Sequence, residues 1–146
     1  MKNQIIIRAV RVVQPGILEL DWATGETLCV NLSDLPRRRK AFASLSRPEV
    51  FAKVSLQEWG HGLSWPDGLD LGADALYARA RSQASLPTID AMSTWMQAHC
   101  LNQERAAEAI GISRRMLNYY LSGAKPIPRT VWLACKGWEV EDRQAR

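Results

Sequence analysis

The chain has few residues with which to bind a metal ion or to build a disulfide framework. Its 146 residues include three cysteines and two histidines. Cys29, Cys100 and Cys135 are far apart and form no CxxC pair, so we expect reduced thiols that are buried as small hydrophobic side chains. Because His61 and His99 are the only histidines, a set of metal ligands would converge only by chance. We therefore predict no metal site and no cofactor.

Signals for a membrane protein and for catalysis are also missing. No stretch approaches the ~18 uninterrupted apolar residues of a membrane span. The short apolar run near the start is interrupted by Arg8 and Arg11, and no cleavage site of small residues follows it. The sequence contains no Ser-His-Asp set, no phosphate-binding glycine loop and no metal triad. We predict a cytoplasmic protein that makes no membrane contact and is not an enzyme.

The chain does contain enough apolar residues for one sizeable core or two small ones. Hydrophobic residues make up 47% of it and charged residues 23%, and the formal net charge is +4. A mild positive charge is compatible with a polyanionic partner, but it is also common among soluble proteins that have none. Composition alone therefore does not choose between these alternatives.

The first third of the chain predicts an antiparallel meander of three strands. Residues 4–13 are rich in Ile and Val, which favour strands. Pro15-Gly16 marks a first turn, and Ala23-Thr24-Gly25 has the form of a tight hairpin connection. These turns separate two further apolar segments, residues 17–22 and 26–32.

Less regular elements follow the meander. Ser33-Asp34 is a candidate N-cap for a helix that carries the basic run RRRK at residues 37–40 and continues to Leu45. We interpret this basic run as the solvated start of the helix rather than as an auxiliary phosphate-binding patch. The sequence KVSLQEW at 53–59 predicts a strand, and a helix is expected over residues 72–81.

The character of the sequence changes at residues 83–87, a short polar stretch with a proline. Strand patterns dominate before it, and every pattern after it is helical. We predict an α+β fold with an antiparallel-sheet α+β domain at 1–82, a linker at 83–87 and an all-α domain at 88–146. The six tryptophans are expected in the cores of these domains: Trp22, Trp59, Trp65, Trp95, Trp132 and Trp138.

One run in the first domain, FAKVSLQEWGHGLSWPDGLDLGADALY, has a distinctive pattern. It combines a Phe-led strand, a glycine turn, W-P-x-G and D-L…L-Y. The pattern resembles a small prokaryotic family of uncharacterised domains, and the resemblance covers roughly residues 10–80. It implies a strand-rich sheet with flanking helices. Because the family has no agreed chemistry, the resemblance implies no function.

The second domain has helical spacing and strong signals for helix ends. Asn102 predicts the N-cap of a helix that begins at Gln103, and Gly111 can adopt the left-handed conformation at its end. Ser113 then caps the next helix. Ala107 supplies the small side chain that two helices need where they cross at a steep angle. A preceding helix is expected to place four apolar side chains on one face: Ile89, Met92, Trp95 and Met96.

The order Gln103, Ala107, Gly111, Leu117 resembles the helix-turn-helix of lambda-repressor-like (Cro/XRE-type) regulators. The continuation YYLSGAKPIPRTVWLACKGW resembles the same family, with a glycine loop, Ile-Pro and a further helix. Tyr120 departs from it, because that core position usually holds a β-branched aliphatic residue. The match covers about residues 90–138. It implies a sequence-specific DNA-binding protein, a transcriptional regulator whose recognition helix enters the major groove of double-stranded DNA.

The resemblance also implies which residues contact DNA. In this family the outward residues at the start of the recognition helix meet base edges. Arginine can donate two hydrogen bonds to guanine, and asparagine pairs with adenine in the same way. Gln103 and Lys125 are expected to contact the phosphate backbone. The residues that would face the bases are Ser113, Arg114, Arg115, Asn118 and Tyr119.

Other interpretations remain open at this point. Arg114 and Arg115 could form only the solvated face of a helical bundle. The protein could also be an antitoxin-like or adaptor module that binds a protein partner and has weak, autoregulatory DNA binding, or, more remotely, an enzyme. One such motif contacts few base pairs, so a homodimer is expected. Because the residues after Trp138, EVEDRQAR, are charged and few, we place the dimer interface in the N-terminal domain.

Overall fold

The computed structural model of the chain describes residues 4–146. It divides into two compact units, and the boundary lies between Ala84 and Ser85. The stretch 83–87 contains this boundary, although Gln83 still belongs to a helix. The first unit contains two antiparallel sheets with short helices, and the described residues of the second unit form only helices. The α+β fold class predicted from the sequence is therefore confirmed.

Three strands open the first unit, β1 Ile7–Gln14, β2 Ile17–Trp22 and β3 Thr27–Asn31. They form an antiparallel sheet in the order β1-β2-β3, which is the predicted meander, although β1 begins at Ile7 rather than at residue 4. Leu18 and Leu20 are fully buried, whereas Glu19 between them is not, because successive side chains of a strand point to opposite faces. The sheet therefore has one apolar face and one polar face.

The polar face carries a group of charged side chains centred on Arg11. The Arg11 guanidinium donates to Glu19 at 2.8 Å and to Asp21 at 2.6 and 2.9 Å. The Thr27 hydroxyl donates to the same Asp21 carboxylate at 2.9 Å. The hydrogen bonds from Arg11 and then from Thr27 lower the pKa of Asp21. All these groups are close to water, so they link the three strands without being buried.

The helix predicted from residue 34 to Leu45 is interrupted. The short helix α1, Leu35–Arg38, ends at Arg39, whose backbone is extended with φ −133° and ψ 120°. A 3-10 segment, Lys40–Ser46, and the short helix α2, Pro48–Phe51, follow. Like charges on neighbouring turns destabilise a helix, and the extended Arg39 divides the basic run RRRK between two segments. The prediction of one continuous helix is therefore wrong.

Asp34 does not cap α1 as predicted. Its backbone is helical, with φ −82° and ψ −18°, and its side chain makes no capping hydrogen bond. The carboxylate instead binds the Arg38 guanidinium at 3.2 Å and the Arg79 guanidinium at 3.0 Å. The Ser33 hydroxyl donates to the Asn31 side chain and is not a cap either. Two charged partners therefore replace the single backbone hydrogen bond of an N-cap.

A second antiparallel sheet has the order β4-β5-β6. Its strands are β4 Ser55–Leu56, β5 Gly62–Trp65 and β6 Leu69–Gly72. The strand predicted over residues 53–59 is thus reduced to two residues. Leu63 and Trp65 of β5 are buried and join the core of the first unit, to which the apolar face of the first sheet also contributes.

Trp59 departs furthest from the predicted core. Its side chain is 77% exposed, and its backbone is left-handed with φ 63°, which is costly for a bulky residue. The next residue, Gly60, lies so close to β1 that a Cβ atom there would stand 2.2 Å from the Ile7 carbonyl oxygen. This close approach fixes the turn and accounts for the exposure of the indole ring.

The longest helix of the first unit, α3, Ala73–Gln83, is tied to the β2–β3 hairpin by polar side chains. The buried Arg81 donates to one carboxylate oxygen of Glu26 at 2.5 Å, and the Tyr77 hydroxyl donates to the other oxygen. Burial, followed by the hydrogen bond to Glu26, raises the pKa of Tyr77 to about 12. Glu26 therefore joins a helix and a hairpin that are distant in sequence.

The second unit consists of α4 Ile89–Ala98, α5 Gln103–Ile110, α6 Arg114–Ser122 and α7 Arg129–Ala145. Of the apolar residues predicted on one face of α4, Met92 and Trp95 are buried, whereas Ile89 in the first turn is 40% exposed. No helix in residues 4–146 is long and apolar enough to span a membrane. The core of this unit is formed by Met92, Trp95, Ala106, Ala107, Leu117, Tyr120, Ile127, Val131 and Cys135.

The other five tryptophans pack against the two cores. Trp22 and Trp65 are buried in the first unit, and Trp95 is buried in the second. Trp132 and Trp138 are partly buried against the second core. The ring nitrogens of Trp22 and Trp95 are enclosed and have no hydrogen-bond partner among the residues that the structure describes. The expectation that tryptophans build the cores thus fails only for Trp59.

All three cysteines are free, but only Cys135 is buried, and burial raises the pKa of its thiol to about 11. Cys29 and Cys100 are exposed, contrary to the prediction. Cys29 lies opposite Glu19 on the polar face of the first sheet, and Cys100 follows α4 with a left-handed backbone. Residues 4–146 contain no group of three or more His, Cys, Asp or Glu side chains that could hold a metal ion.

Candidate nucleic-acid interface

Helices α5 and α6 each begin with a side-chain cap. The Asn102 side-chain oxygen accepts a hydrogen bond from the Arg105 backbone N–H at 2.8 Å. The Ser113 hydroxyl oxygen accepts one from the Met116 N–H at 3.0 Å. Both pairs have the three-residue spacing with which an N-cap satisfies a free N–H of the first turn. The two helices therefore start at the residues that the sequence predicts.

The turn between the two helices is closed by a Schellman motif. Gly111 is left-handed, with φ 75° and ψ 28°. Its N–H donates to the Glu108 carbonyl at 3.3 Å, and the Ile112 N–H donates to the Ala107 carbonyl at 3.0 Å. This pair of hydrogen bonds ends a helix and reverses the chain within a few residues. The direction in which α6 leaves α5 is therefore set by the local backbone.

The buried side chains of α5 are small where this helix meets its neighbours. Helix α5 packs against both α6 and α7. Ala106 and Ala107 on α5 are buried, and Leu117 and Tyr120 on α6 belong to the same core. Because the core takes this side of α6, the opposite side of the helix faces the solvent. The packing thus holds one face of α6 outward on a fixed base.

The predicted base-contacting residues lie at the start and along the outer side of α6. Arg114, Arg115 and Asn118 are exposed, and Tyr119 is partly buried. Arg114 and Asn118 are four residues apart, as are Arg115 and Tyr119, so each pair lies on one row of the helix surface. Ser113 is exposed at the N-cap, where its oxygen is already used in capping.

Tyr119 contacts two positively charged side chains at the surface of α6. The Arg115 Nε donates to the Tyr119 hydroxyl at 2.8 Å, and the guanidinium carbon lies 5.6 Å from the centre of the ring. The Lys125 Nζ lies 5.1 Å from the centre of the same ring. Cation–π attraction and one hydrogen bond thus bring Arg115, Tyr119 and Lys125 together. The sequence predicts all three as site residues but not this contact between them.

The position of Lys125 follows from the end of α6. Gly123 is left-handed with φ 81°, and its N–H donates to the Tyr120 carbonyl at 3.3 Å. The Lys125 N–H donates to the Tyr119 carbonyl at 3.3 Å. These hydrogen bonds turn the loop back along the last turn of the helix, and the lysine side chain therefore reaches the Tyr119 ring.

Gln103 stands apart from this cluster. It is the first residue of α5 and is partly buried, and within residues 4–146 its side chain forms no hydrogen bond with the other predicted site residues. Arg129, which the sequence interpretation did not select, is exposed at the first position of α7. Arg129 lies within the stretch YYLSGAKPIPRTVWLACKGW that resembles the family, but only its charge indicates a contact with DNA.

Positive charge is concentrated around these helices. Residues 103–138 contain six basic and only two acidic side chains, Glu104 and Glu108. An anion close to this segment would therefore be attracted by its net positive charge. Guanidinium groups in particular can donate paired hydrogen bonds to a base edge or a phosphate. The six basic residues are Arg105, Arg114, Arg115, Lys125, Arg129 and Lys136.

The first unit matches a known protein family. The model of a family described as "Protein of unknown function (DUF2442)" matches residues 7–82, which is more than half of the chain. The chain belongs to this family. The matched residues run from β1 into α3, so the resemblance of the first domain to a family of uncharacterised domains is confirmed. The DUF2442 description names no activity, and residues 83–146 lie outside the match.

A solved structure extends the similarity to both units. The DUF2442 chain is similar to the crystal structure of "Putative DNA Binding Protein NE0471" from Nitrosomonas europaea ATCC 19718, with 41% sequence identity and a TM-score of 0.59. The similarity covers 92% of this chain and 86% of the other. Because less than a tenth of the present chain is left out, most of each unit is included. No curated protein matches the chain.

Proposed function

We propose that this DUF2442 protein is a sequence-specific DNA-binding protein, a transcriptional regulator that places α6 in the major groove of double-stranded DNA. The observation that carries the proposal is the display of Arg114, Arg115 and Asn118 on the outer side of a helix that a tight turn and an N-cap hold in place. The similarity over both units to a protein named for DNA binding supports it. We propose no enzymatic activity.

The proposed site residues would contact different parts of the DNA. Arg114 and Asn118 would meet base edges, because their side chains match guanine and adenine respectively in the major groove. The hydrogen bond to Tyr119 uses only the Nε of Arg115, so both terminal amino groups of this arginine remain for a pair of hydrogen bonds to a base. Gln103 and Lys125 would contact phosphates, and the Ser113 hydroxyl could still donate its hydrogen.

The proposal is tested by selecting bound sequences from random duplex DNA and measuring affinity for the selected site by fluorescence anisotropy. Arg114→Ala or Arg115→Ala should weaken binding to the selected site by roughly 1–3 kcal/mol and relax its sequence preference. Lys125→Ala should weaken binding to all sequences alike. The control is Arg143→Ala, which removes an exposed cation near the end of α7. If all four variants bind the selected duplex as the wild type does, the assignment of α6 is wrong.

We also propose that the protein binds DNA as a homodimer through its first unit. Strand β1 lies at an edge of the first sheet, and Val12 and Val13 on it are 41% and 56% exposed. A second copy could pair with such an edge. In sedimentation equilibrium, Val13→Glu should convert a dimer into a monomer. Val140→Glu, at an exposed apolar position on α7, is the matched control, and loss of the dimer only in that variant would contradict the arrangement.

A second candidate function is an antitoxin-like or adaptor module with weak, autoregulatory DNA binding. Trp59 favours it, because an indole ring that is 77% exposed is unusual and tryptophan is enriched at the centres of protein interfaces. If this function is correct, the protein encoded beside this chain should copurify with it, and Trp59→Ala should abolish the complex. If the partner still copurifies with the Trp59→Ala variant, Trp59 no longer supports this candidate function.

A further inference from the structure

A second concentration of positive charge lies in the first unit, where no function has been assigned. Residues 34–53 contain six basic and two acidic side chains, the same balance as residues 103–138. Each segment has a net charge of +4 and the whole chain is +4, so the remaining residues together have a net charge of −4. The six basic residues are Arg37, Arg38, Arg39, Lys40, Arg47 and Lys53.

These cations are exposed, and most of them have no acidic partner. All six are exposed to solvent. Arg38 pairs with Asp34 at 3.2 Å, and Arg79 shares the same carboxylate. The other five form no ion pair with any residue in the described range 4–146. A solvated face usually intersperses charges of both signs, whereas this segment presents one sign almost alone.

The backbone beneath these cations is held by buried side chains and local hydrogen bonds. Phe42, Leu45 and Phe51 of the same segment are buried in the core of the first unit. The Arg39 N–H donates to the Leu35 carbonyl at 3.0 Å, and the Phe42 N–H donates to the Arg39 carbonyl at 3.0 Å. The extended Arg39 therefore stands between two anchored turns. The cations are displayed on an ordered backbone rather than on a free tail.

We propose that Arg37, Arg39, Lys40 and Arg47, here called the basic patch, bind the phosphate backbone of double-stranded DNA. This inference rests on the proposed function and assigns to the first unit a contact with the same class of ligand. The patch lies on short turns, and no helix of useful length is present to enter a groove, so its contacts would be to phosphates and independent of sequence. Neutralising phosphates releases counterions, which makes this contribution depend on salt.

Duplex DNA accounts for the patch better than a membrane surface does. Peripheral membrane-binding segments combine basic residues with apolar side chains that enter the lipid. None of the large hydrophobic side chains that are exposed on this chain falls within residues 34–53. The patch thus offers charge and hydrogen-bond donors without an apolar anchor. Exposed cations without an apolar anchor are suited to contacts with phosphates.

The test measures the salt dependence of binding of the full chain to a duplex of random sequence by fluorescence anisotropy. The variant carries Arg37→Gln, Arg39→Gln and Lys40→Gln together. The slope of log Kobs against log salt concentration should become shallower by about 2 to 3, because about three phosphate contacts are lost. The loss should be the same for every sequence, so the preference for a selected site stays unchanged. Since the three side chains are exposed, the thermal midpoint should match that of the wild type.

The matched control removes the same charge elsewhere, with Arg8→Gln, Arg143→Gln and Arg146→Gln, three exposed residues outside both basic segments. Equal slopes in the two triple variants would overturn the inference, because only net charge would then matter. A slope that changes with Lys125→Gln but not in the patch variant would overturn it and leave the proposed function intact. A wild-type chain that binds no duplex would overturn both. Loss of binding to phosphatidylserine vesicles without a change in the duplex slope would assign the patch to membranes instead.

Discussion

Helices α3 and α6, of 11 and 9 residues, are held in place by different means in the two units. Helix α6 begins with the hydroxyl cap of Ser113 and ends at the left-handed Gly123. Helix α3 follows Gly72 and has no side-chain cap. In the second unit three of the four helices begin with such a cap, whereas none of the three α-helices in the first unit does.

Polar contacts over long sequence separations take the place of caps in the first unit. Along α3, Arg79 binds Asp34 at 3.0 Å and Arg81 binds Glu26 at 2.5 Å. The Gln83 side chain accepts from the backbone N–H of Asn31 at 2.7 Å and donates to its carbonyl at 2.9 Å. The partners lie 45 to 55 residues before the helix residues. Helix α6 is thus fixed by its immediate neighbours in sequence, and α3 by distant residues in the β2–β3 hairpin and just after it.

The largest effect should come from breaking the distant contacts. Glu26→Ala removes the carboxylate that binds the buried Arg81 and the Tyr77 hydroxyl. We expect the free energy of unfolding, measured with urea, to fall by about 3 kcal/mol, because a buried guanidinium then loses its carboxylate. The control Glu19→Ala removes the exposed partner of Arg11 and should have little effect. Equal effects of both would mean that the distant contacts do not hold α3.

A smaller effect is expected from overfilling the crossing of α5. Ala107→Leu adds three carbon atoms where α5 packs against α6 and α7, and should cost about 2 kcal/mol of the free energy of unfolding. Glu108→Leu introduces the same side chain at the adjacent exposed position and is the control. Urea unfolding followed by circular dichroism compares them. Tolerance of Leu at residue 107 would show that the crossing is looser than its burial indicates.

Substitutions of the left-handed Gly111 test whether local backbone conformation determines the turn between α5 and α6. Apart from its two chain neighbours, no described residue has an atom within 4 Å of the position that a Cβ would take, so a substitution there meets mainly the backbone preference. Gly111→Val should lower the thermal stability by about 1 kcal/mol, since β-branched residues avoid positive φ. Gly111→Asn should cost less, because asparagine tolerates this conformation. If valine and asparagine have equal midpoints in thermal unfolding, backbone conformation does not determine the turn.

The last prediction concerns a contribution to stability that changes only at high pH. The pKa of Tyr77 is about 12 in the folded protein, above its ordinary value of 10. Between these values the unfolded chain loses this proton while the folded chain keeps it, so the contribution of Tyr77 to stability is present below pH 10 and is lost as the pH rises towards 12. Across this window the unfolding free energy of Tyr77→Phe should decline less steeply than that of the wild type. Parallel declines in urea titrations would refute the assignment.

The sequence predicts the second unit more completely than the first, and the difference between α6 and α3 explains why. Asn102, Gly111 and Ser113 act on residues within a few positions, so their meaning is visible in the sequence. Features of the first unit such as the exposure of Trp59 depend instead on packing against distant strands. The close approach of Gly60 to Ile7 is one example, because nothing near residue 60 in the sequence indicates it.

The candidate interface can likewise be predicted only in part from the sequence. Arg115 and Tyr119 are four residues apart, so a helix over these residues already predicts that they are neighbours. The contact of Lys125 with the Tyr119 ring depends on the left-handed Gly123 and on a hydrogen bond in the loop, which residue spacing does not reveal. The basic run at residues 37–40 is obvious in the sequence, but its division by the extended Arg39 is not.

The two enclosed indole nitrogens have a consequence for observing the protein in solution. Trp22 belongs to the core of the first unit and Trp95 to the core of the second, and neither ring N–H reaches water or another acceptor among residues 4–146. Such a proton exchanges with deuterium only when its surroundings open. The two indole resonances therefore report opening of the two units separately within one unmodified chain. A ligand that stabilises only one unit would slow the exchange of the indole proton in that unit and leave the exchange rate of the other indole proton unchanged.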